Sequence, residues 1–193
     1  MRRIVMFNWV SIDGFFAGPK GEIDWIIRDP EVDRAVRETG AENSPSEATG
    51  SDMMLLGSVT YALFENTWPH IAQDPNAPEA MHRLADEVTR MTKVVFSRTR
   101  QEVSWENSVL FSDHLVQEVK KLKHGDGSPI LIFGSGTIVQ QLTDAGLIDE
   151  YFIAVTPVVL GKGKQLFRDV QKRNLQLKEA RQFRSGNVLL RYS

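Results

Sequence analysis

The sequence predicts an α/β fold whose mixed, mostly parallel sheet is closed by an antiparallel ribbon at the C-terminal end. Two observations predict it. Short unbroken apolar runs, such as residues 130–133, lead through turns of small residues into segments with helical periodicity. After residue 175, apolar and polar residues alternate on both sides of residues 185–187, a hairpin signal. Repeated strand–turn–helix units form parallel sheets, and 193 residues fit one domain, residues 1–193.

Composition narrows the class of protein. The chain has no cysteine, which excludes disulfides, thiolate metal sites and a cysteine nucleophile, and no metal site of another kind is predicted. No apolar run approaches the ~20 residues of a membrane span, and the first residues lack a secretory signal pattern. We therefore expect a soluble, cytoplasmic protein with no membrane partner.

Charge is unevenly distributed along the chain. Residues 160–193 carry nine Lys or Arg against two acidic residues, although the formal net charge of the whole chain is −2. A solvated ribbon whose basic side chains discourage edge-to-edge pairing explains this excess. Because the pI is about 6.1, the chain has no overall attraction for polyanions, and no nucleic-acid partner is expected.

The first half predicts three strands and three helices, in chain order. Residues 4–10 form a buried strand, and a helix follows with Asp29 as N-cap and a proline at its first position. Residues 40–51 are polar and form a surface loop; whether it covers a site stays open. A strand at 52–56 leads into a helix capped by Ser58, residues 68–78 form a proline-rich loop, residues 79–90 an amphipathic helix and residues 92–96 a third strand.

The second half repeats the design. One or two short polar strands lie within residues 102–111, and an amphipathic helix begins at Ser112. The strand at 130–133 and the helix at 137–146 are followed by a strand at 151–156. Strands at 175–183 and 188–192 complete the hairpin.

The stretch from residue 130 to residue 167 carries a composite motif. It reads strand, Gly-Ser-Gly turn, helix, Leu-Ile-Asp-Glu, strand and then P-x-x-L-G-x-G-x-x-L-F. Residues 10–18, VSIDGFFAG, are similar to an S-L-D-G-x-x-A signature at the start of a domain. With these motifs the chain resembles the dihydrofolate-reductase-like superfamily, most closely the reductase domain of bacterial bifunctional riboflavin-pathway deaminase-reductases. The resemblance implies a three-layer αβα sandwich.

The resemblance also implies NADPH as cofactor. The residues it places at the cofactor are Val10, Ala17, Gly57, Ser58, Thr60, Ser97, Arg98, Phe133, Gly134, Ser135, Gly136 and Thr137. In this reading the turn at 134–137 holds the pyrophosphate and Arg98, with Ser97, holds the 2′-phosphate. A small-residue turn at a helix N-terminus suits a phosphate on physical grounds, although such turns also occur for purely structural reasons. Ser58 stands where the family has an arginine.

Substrate and proton donor are less closely defined. The resemblance places Trp9 and Trp25 at the substrate, and Asp13, Asp29 or an ordered water as the proton relay, with Asp29 equally readable as a plain N-cap. The expected function is an NADPH-dependent reductase of a small heterocycle, either a pteridine or one like 5-amino-6-(5-phosphoribosylamino)uracil. Phe133 replaces the acidic residue that the riboflavin-pathway reductases carry there. The alternative is a non-catalytic nucleotide-binding or regulatory module.

Two further expectations concern assembly and backbone geometry. The family usually pairs, and the apolar run at 151–160 beside the basic ribbon predicts a homodimer that buries an edge, at ~800 Å² per partner or more. Dihydrofolate reductases hold the corresponding glycine–glycine bond in cis, so the bond between Gly134 and Ser135 is predicted to be cis.

Overall fold

The computed structural model describes residues 1–40 and 51–193, so most of the predicted loop at 40–51 lies outside the described residues. Within this part of the chain there are ten strands and six helices. The strands are β1 (Ile4–Ser11), β2 (Phe15–Ala17), β3 (Met53–Gly57), β4 (Thr92–Phe96), β5 (Ser108–Phe111), β6 (Ile130–Phe133), β7 (Glu150–Thr156), β8 (Lys164–Gln165), β9 (Leu177–Gln182) and β10 (Val188–Tyr192). The helices are α1 (Pro30–Gly40), α2 (Ser58–Glu65), α3 (Trp68–Gln73), α4 (Glu79–Arg90), α5 (Leu115–His124) and α6 (Gly136–Asp144).

Eight of these strands form one sheet in the order β5-β4-β3-β6-β1-β7-β10-β9. The six strands from β5 to β7 are parallel, and β10 joins β7 and β9 antiparallel to both. The predicted fold class, a mostly parallel mixed sheet with a C-terminal antiparallel ribbon, is confirmed.

Side-chain alternation along the strands builds the three layers. In β1, Ile4 and Met6 pack with residues of α5 and α6, whereas Val5 and Phe7 pack with α1. In β3 and β4 one set of side chains joins the α5–α6 side, and the other packs with α2 and α4. Because successive side chains of a strand point to opposite faces, each parallel strand contributes to two cores. The sheet therefore lies between two helical layers.

Three local predictions were wrong at helix ends. Gly57, not Ser58, is the N-cap of α2, without a side-chain bond. The predicted loop at 68–78 contains α3, where Pro69 occupies an early helical position that needs no N–H donor. Helix α5 begins at Leu115 rather than Ser112, after His114 in the left-handed conformation. The first and third errors concern the residue at which a helix begins, and the second is a short helix within a segment whose prolines predicted a loop.

The run at 151–160 does not present a sheet edge. Strand β7 lies between β1 and β10 and is paired on both sides, so the premise for an edge-burying contact there was wrong. The free edge on that side of the sheet belongs to β9. The homodimer itself stays a prediction.

Charged side chains cluster at the amino ends of the central strands. Glu150 at the start of β7 is buried and bonds both Arg3 and Arg191. Asp149 accepts bonds from the Lys123 ammonium and from the backbone N–H of Ile4, the latter at 2.7 Å. These pairs satisfy charges at the end of the sheet opposite the strand carboxyl ends.

Neither a membrane span nor a metal cluster is found in the described ranges. No helix there is long and apolar enough to cross a bilayer. In the same residues, no three or more His, Asp or Glu side chains are grouped so that they could hold a metal ion.

Lys93 is a cation inside the α4 side of the core. It is 0% exposed on β4, and its ammonium donates to the carbonyl of Thr89 at 2.6 Å. The Nζ atom also lies 4.1 Å from the centroid of the Trp105 ring. Burial lowers the pKa of Lys93 to about 8, because the charged form loses its hydration.

We predict that Lys93→Met changes how stability depends on pH. Between about pH 8 and the ordinary pKa of 10.5 the unfolded chain keeps a proton on Lys93 that the folded chain has released. The free energy of unfolding of the wild type therefore rises with pH across this window, relative to that of the variant. Urea unfolding at several pH values measures the difference. Lys172→Met, at an exposed lysine, is the control; equal pH slopes for wild type and Lys93→Met would contradict the prediction.

Candidate functional site

A cavity of about 570 Å³ opens at the carboxyl ends of the parallel strands. Residues from β1, β3, β4 and β6 and from the turns that follow them line it. Open α/β sheets bind ligands at this edge, and small-molecule sites have volumes of this order. The fold therefore places a ligand-sized cavity where the sequence predicted a cofactor.

The turn between β6 and α6 is built from two left-handed residues. Gly134 has φ of 60°, and Ser135 has φ of 50° and ψ of 49°. Their peptide bond is trans, so the predicted cis bond was wrong. Two successive left-handed residues turn the chain sharply from strand to helix without a cis bond. Ser135 holds this conformation without the freedom of glycine, at a cost of ~1–2 kcal/mol.

Hydrogen bonds join this turn to the one between β3 and α2. The backbone N–H of Gly57 donates to Ser135 Oγ at 3.0 Å. In return, the backbone N–H of Ser135 donates to Thr60 Oγ1 at 3.2 Å. The Ser135 hydroxyl also donates to the carbonyl of Phe133 at 3.1 Å, which completes its bonding. The two turns are therefore held as one unit.

This unit directs two helix N-termini at the cavity. Helices α2 and α6, of 8 and 9 residues, begin at Ser58 and Gly136, which both line it. First-turn N–H groups lack acceptors within their own helix, and each N-terminus carries a partial positive charge. Two such ends around one cavity suit an anion with two phosphates.

Close packing around the turn explains its small residues. A Cβ atom added to Gly136 would lie 2.5 Å from the Phe16 ring, and one added to Gly134 would lie 3.3 Å from Thr60 Oγ1. Phe16 itself lines the cavity. Glycine at these positions leaves room for Phe16 and Thr60 to pack directly against the backbone of the turn.

The loop after β4 separates the roles of Ser97 and Arg98. Ser97 Oγ accepts backbone N–H bonds from Thr99 at 3.2 Å and from Arg100 at 2.9 Å, so it closes the turn. Arg98 is exposed and lines the cavity. Ser97 lines it too, but its hydroxyl is engaged, whereas the guanidinium of Arg98 is accessible to a ligand.

Asp13 fastens a loop and does not line the cavity. The Ser11 hydroxyl donates to its carboxylate at 2.6 Å, and the backbone N–H groups of Leu160 and Gly161 donate at 3.1 and 2.7 Å. The bond from Ser11, followed by these backbone bonds, lowers the pKa of Asp13 to about 2. Because these bonds serve the loop and Asp13 lies outside the cavity lining, the structure does not bring it to the position of the predicted proton relay.

Asp29 is the N-cap of α1. Its carboxylate accepts the backbone N–H of Glu31 at 2.8 Å and the hydroxyl of Ser185, and it is outside the cavity lining. The bond from Ser185 outweighs burial and lowers the pKa of Asp29. Of the two readings that the sequence left open, the structural one describes its contacts, and its predicted catalytic role does not fit them.

Of the two tryptophans predicted to bind the substrate, one lines the cavity and the other does not. Trp9 lines the cavity, and the guanidinium of Arg28 lies 5.9 Å from its ring centroid. Trp25 is outside the lining, and its indole N–H donates to the carbonyl of Glu22 at 3.0 Å. Val10, predicted at the cofactor, is packed in the core on the α5–α6 side and is not part of the lining.

Sequence reasoning missed several lining residues. They are Phe16, Ile23, Ile26, Arg28, Asp113, Gln141 and Lys164, together with others from the same loops. Ile23 and Ile26 flank the tryptophan that was chosen in their place, and their apolar character was a usable signal. Lys164 is placed by β8 pairing with β2, a two-stranded sheet too short to show in a pattern of hydropathy.

Comparison with known protein families identifies the chain's relatives. A model of the RibD C-terminal domain matches residues 2–189. The chain belongs to this family. Over 192 residues it is 34% identical to the uncharacterized protein YyaP of Bacillus subtilis (strain 168), covering 99% of this chain and 94% of that protein.

Two solved structures share the fold of this chain. One is the Thermotoga maritima diaminohydroxyphosphoribosylaminopyrimidine deaminase/5-amino-6-(5-phosphoribosylamino)uracil reductase, with a TM-score of 0.64 and 16% identity over 99% of this chain and 56% of that one. The other is dihydrofolate reductase from Enterococcus faecalis, complexed with NADP(H) and RAB-propyl, with a TM-score of 0.59 and 12% identity over 98% of this chain and 95% of that one. The chain therefore has a reductase-type, dihydrofolate-reductase-like fold, as the resemblance predicted.

Thr60→Val tests the coupling of the two turns. The variant keeps the shape of the side chain but leaves the Ser135 N–H without its acceptor, so we expect the free energy of unfolding to fall by ~1–3 kcal/mol. Urea unfolding measures it. Thr137→Val, at an exposed threonine of the same cavity, should change stability by less than ~0.5 kcal/mol. Equal effects of the two substitutions would count against the coupling.

Proposed function

We propose that this protein is an NADPH-dependent reductase that transfers hydride to a small heterocyclic substrate, either a pteridine or one like 5-amino-6-(5-phosphoribosylamino)uracil. The main support is a pair of helix N-termini that face one cavity at the carboxyl edge of the sheet. Two hydrogen bonds hold the turns before these helices together. Family membership and the reductase-type fold support the reaction class.

The cavity lining offers backbone N–H groups and positive charge where a nicotinamide dinucleotide carries its phosphates. First-turn N–H groups of α2 and α6 would hold the pyrophosphate, with glycine backbone as the wall between them. Arg98, at the end of the neighbouring strand β4, would hold the 2′-phosphate. When bound, the nicotinamide supplies the hydride, and the chain supplies position and exclusion of water.

The other wall of the cavity is suited to a flat ring with an anionic group. Trp9, Ile23 and Ile26 offer apolar surface, and Arg28 and Lys164 offer positive charge. Arg28 lies near the Trp9 ring, so one guanidinium could meet an anionic group of a substrate that packs on that tryptophan. These residues orient the substrate in the proposed reaction.

A second candidate is a nucleotide-binding module without catalysis. The observation that favours it is the use of both predicted acids, Asp13 and Asp29, in local structure, outside the cavity. Among the described residues that line the cavity, the carboxylate belongs to Asp113 alone. A module that reports cofactor binding needs no proton donor.

One experiment separates the two candidates. The purified protein is titrated with NADPH by isothermal calorimetry, and oxidation at the nicotinamide absorbance is then followed with pteridines and with aminopyrimidine ribosyl phosphates. Saturable binding with substrate-dependent oxidation supports the reductase. Binding without oxidation by any of these substrates favours the module, and absence of NADPH binding contradicts both.

Arg98→Ala should weaken NADPH binding about ten- to a hundredfold and leave NADH binding nearly unchanged. The reason is the loss of a charge-assisted contact with the 2′-phosphate, worth ~1.5–3 kcal/mol. Calorimetric dissociation constants for both cofactors measure it. Arg83→Ala on α4, whose arginine pairs with Glu79 away from the cavity, is the matched control. Equal losses for NADPH and NADH, or none for either, would remove Arg98 from this role.

A further inference from the structure

Glu65, at the last position of α2, binds the loop that carries Arg98. Its Oε2 atom accepts two bonds from the guanidinium of Arg100, both at 3.2 Å. Its Oε1 atom accepts the hydroxyls of Tyr61, at 3.2 Å, and Ser104. Both oxygens of this carboxylate are therefore engaged, and three of its four bonds lead to the segment between residues 97 and 105.

Tyr61 adds a second layer to this network. Its ring lies 4.6 Å from the guanidinium carbon of Arg100, and its hydroxyl accepts the backbone N–H of Trp105 at 3.0 Å. The tyrosine is fully buried. Arg100 is thus held by a carboxylate at its edge and an aromatic ring at its face, a geometry that a planar guanidinium satisfies and an ammonium does not.

The network leaves Arg98 as the residue presented to a ligand. The guanidinium of Arg100 pairs with Glu65. The backbone N–H groups of Thr99 and Arg100 both donate to Ser97 Oγ, which closes the turn. Between these fixed points Arg98 is exposed and lines the cavity. Within the described residues it has no ion-pair partner, whereas Arg100 has one.

Helix α2 links this loop to the phosphate turn. Its first residues line the cavity next to Ser135, and its last residue carries the carboxylate that holds Arg100. Since a helix of 8 residues spans ~12 Å, one rigid element sets the distance between the two places where phosphates would bind.

We propose that Glu65 is a positioning residue: through Arg100 it fixes the loop so that Arg98 discriminates between ligands with and without an adenosine 2′-phosphate. The proposal rests on the proposed function and extends it to a residue outside the cavity lining. It assigns the contact with the 2′-phosphate to Arg98, in the loop after β4, in a chain that has serine at position 58.

The test uses two probes that differ in the 2′-phosphate alone, adenosine 2′,5′-bisphosphate and adenosine 5′-monophosphate. For each variant of the full chain, calorimetry gives the preference ratio, which is the dissociation constant of the monophosphate divided by that of the bisphosphate. Glu65→Gln, which removes the charge that orients Arg100, should lower this ratio at least threefold. Arg100→Lys, which keeps the charge but loses the fork, should lower it as well and serves if Glu65→Gln does not fold. Glu79→Gln, at an exposed ion pair of α4, should leave the ratio unchanged.

A double-variant measurement separates positioning from a general structural role. If Glu65 acts through Arg98, Glu65→Gln has no further effect on the ratio in an Arg98→Ala background. A ratio that is unchanged in Glu65→Gln, or that falls again in the double variant, would overturn the proposal. If the wild type binds both probes with the predicted preference while Glu65→Gln retains it, the positioning role alone fails. If the wild type shows no preference, the assignment of Arg98 in the proposed function fails first, and the positioning role fails with it.

Discussion

The two hydrogen bonds that join the β3–α2 turn to the β6–α6 turn are the constraint on which the cavity depends. Strands β3 and β6 are neighbours, so their carboxyl ends already lie side by side. The N–H of Gly57 donates to the hydroxyl oxygen of Ser135, and the N–H of Ser135 donates in return to the hydroxyl oxygen of Thr60. Ser135 is held in the left-handed conformation, which turns α6 away from its strand. Sheet pairing brings the helices together, and these bonds fix where their N-termini point.

Charge in this protein is divided between the two ends of the sheet. At the amino ends, Glu150 and Asp149 are paired with arginine and lysine, and these pairs satisfy buried charges in place. At the carboxyl ends, the cavity lining holds Arg28, Arg98 and Lys164 against the carboxylate of Asp113. This end is therefore left with positive charge and helix N-termini facing one opening, a combination that attracts anionic ligands.

The sequence was sufficient for the features that depend on neighbouring residues. Strand β6 and its turn were predicted because four apolar residues followed by Gly134, Ser135 and Gly136 form a local pattern. The roles of Asp13 and Asp29 could not be read in this way. Whether a carboxylate holds a loop or gives a proton depends on partners such as Gly161 and Ser185, which lie 148 and 156 residues away. The prediction of a cis bond was wrong for another reason, because Ser135 in the left-handed conformation allows the chain to turn from β6 into α6 with a trans bond.

The use of Asp13 in structure bears on the source of the proton. In the proposed reaction a substrate that accepts hydride also accepts a proton, and the lining contains no buried acid among the described residues. By holding the N–H groups of Leu160 and Gly161, Asp13 fixes the start of the loop that leads to Lys164 on β8. Gly163 in this loop passes so close to the carbonyl of Ala17 that a Cβ there would lie 2.4 Å from it. Asp13 therefore serves the cavity by fixing the loop that places Lys164 at its edge, and not by lying in the cavity itself.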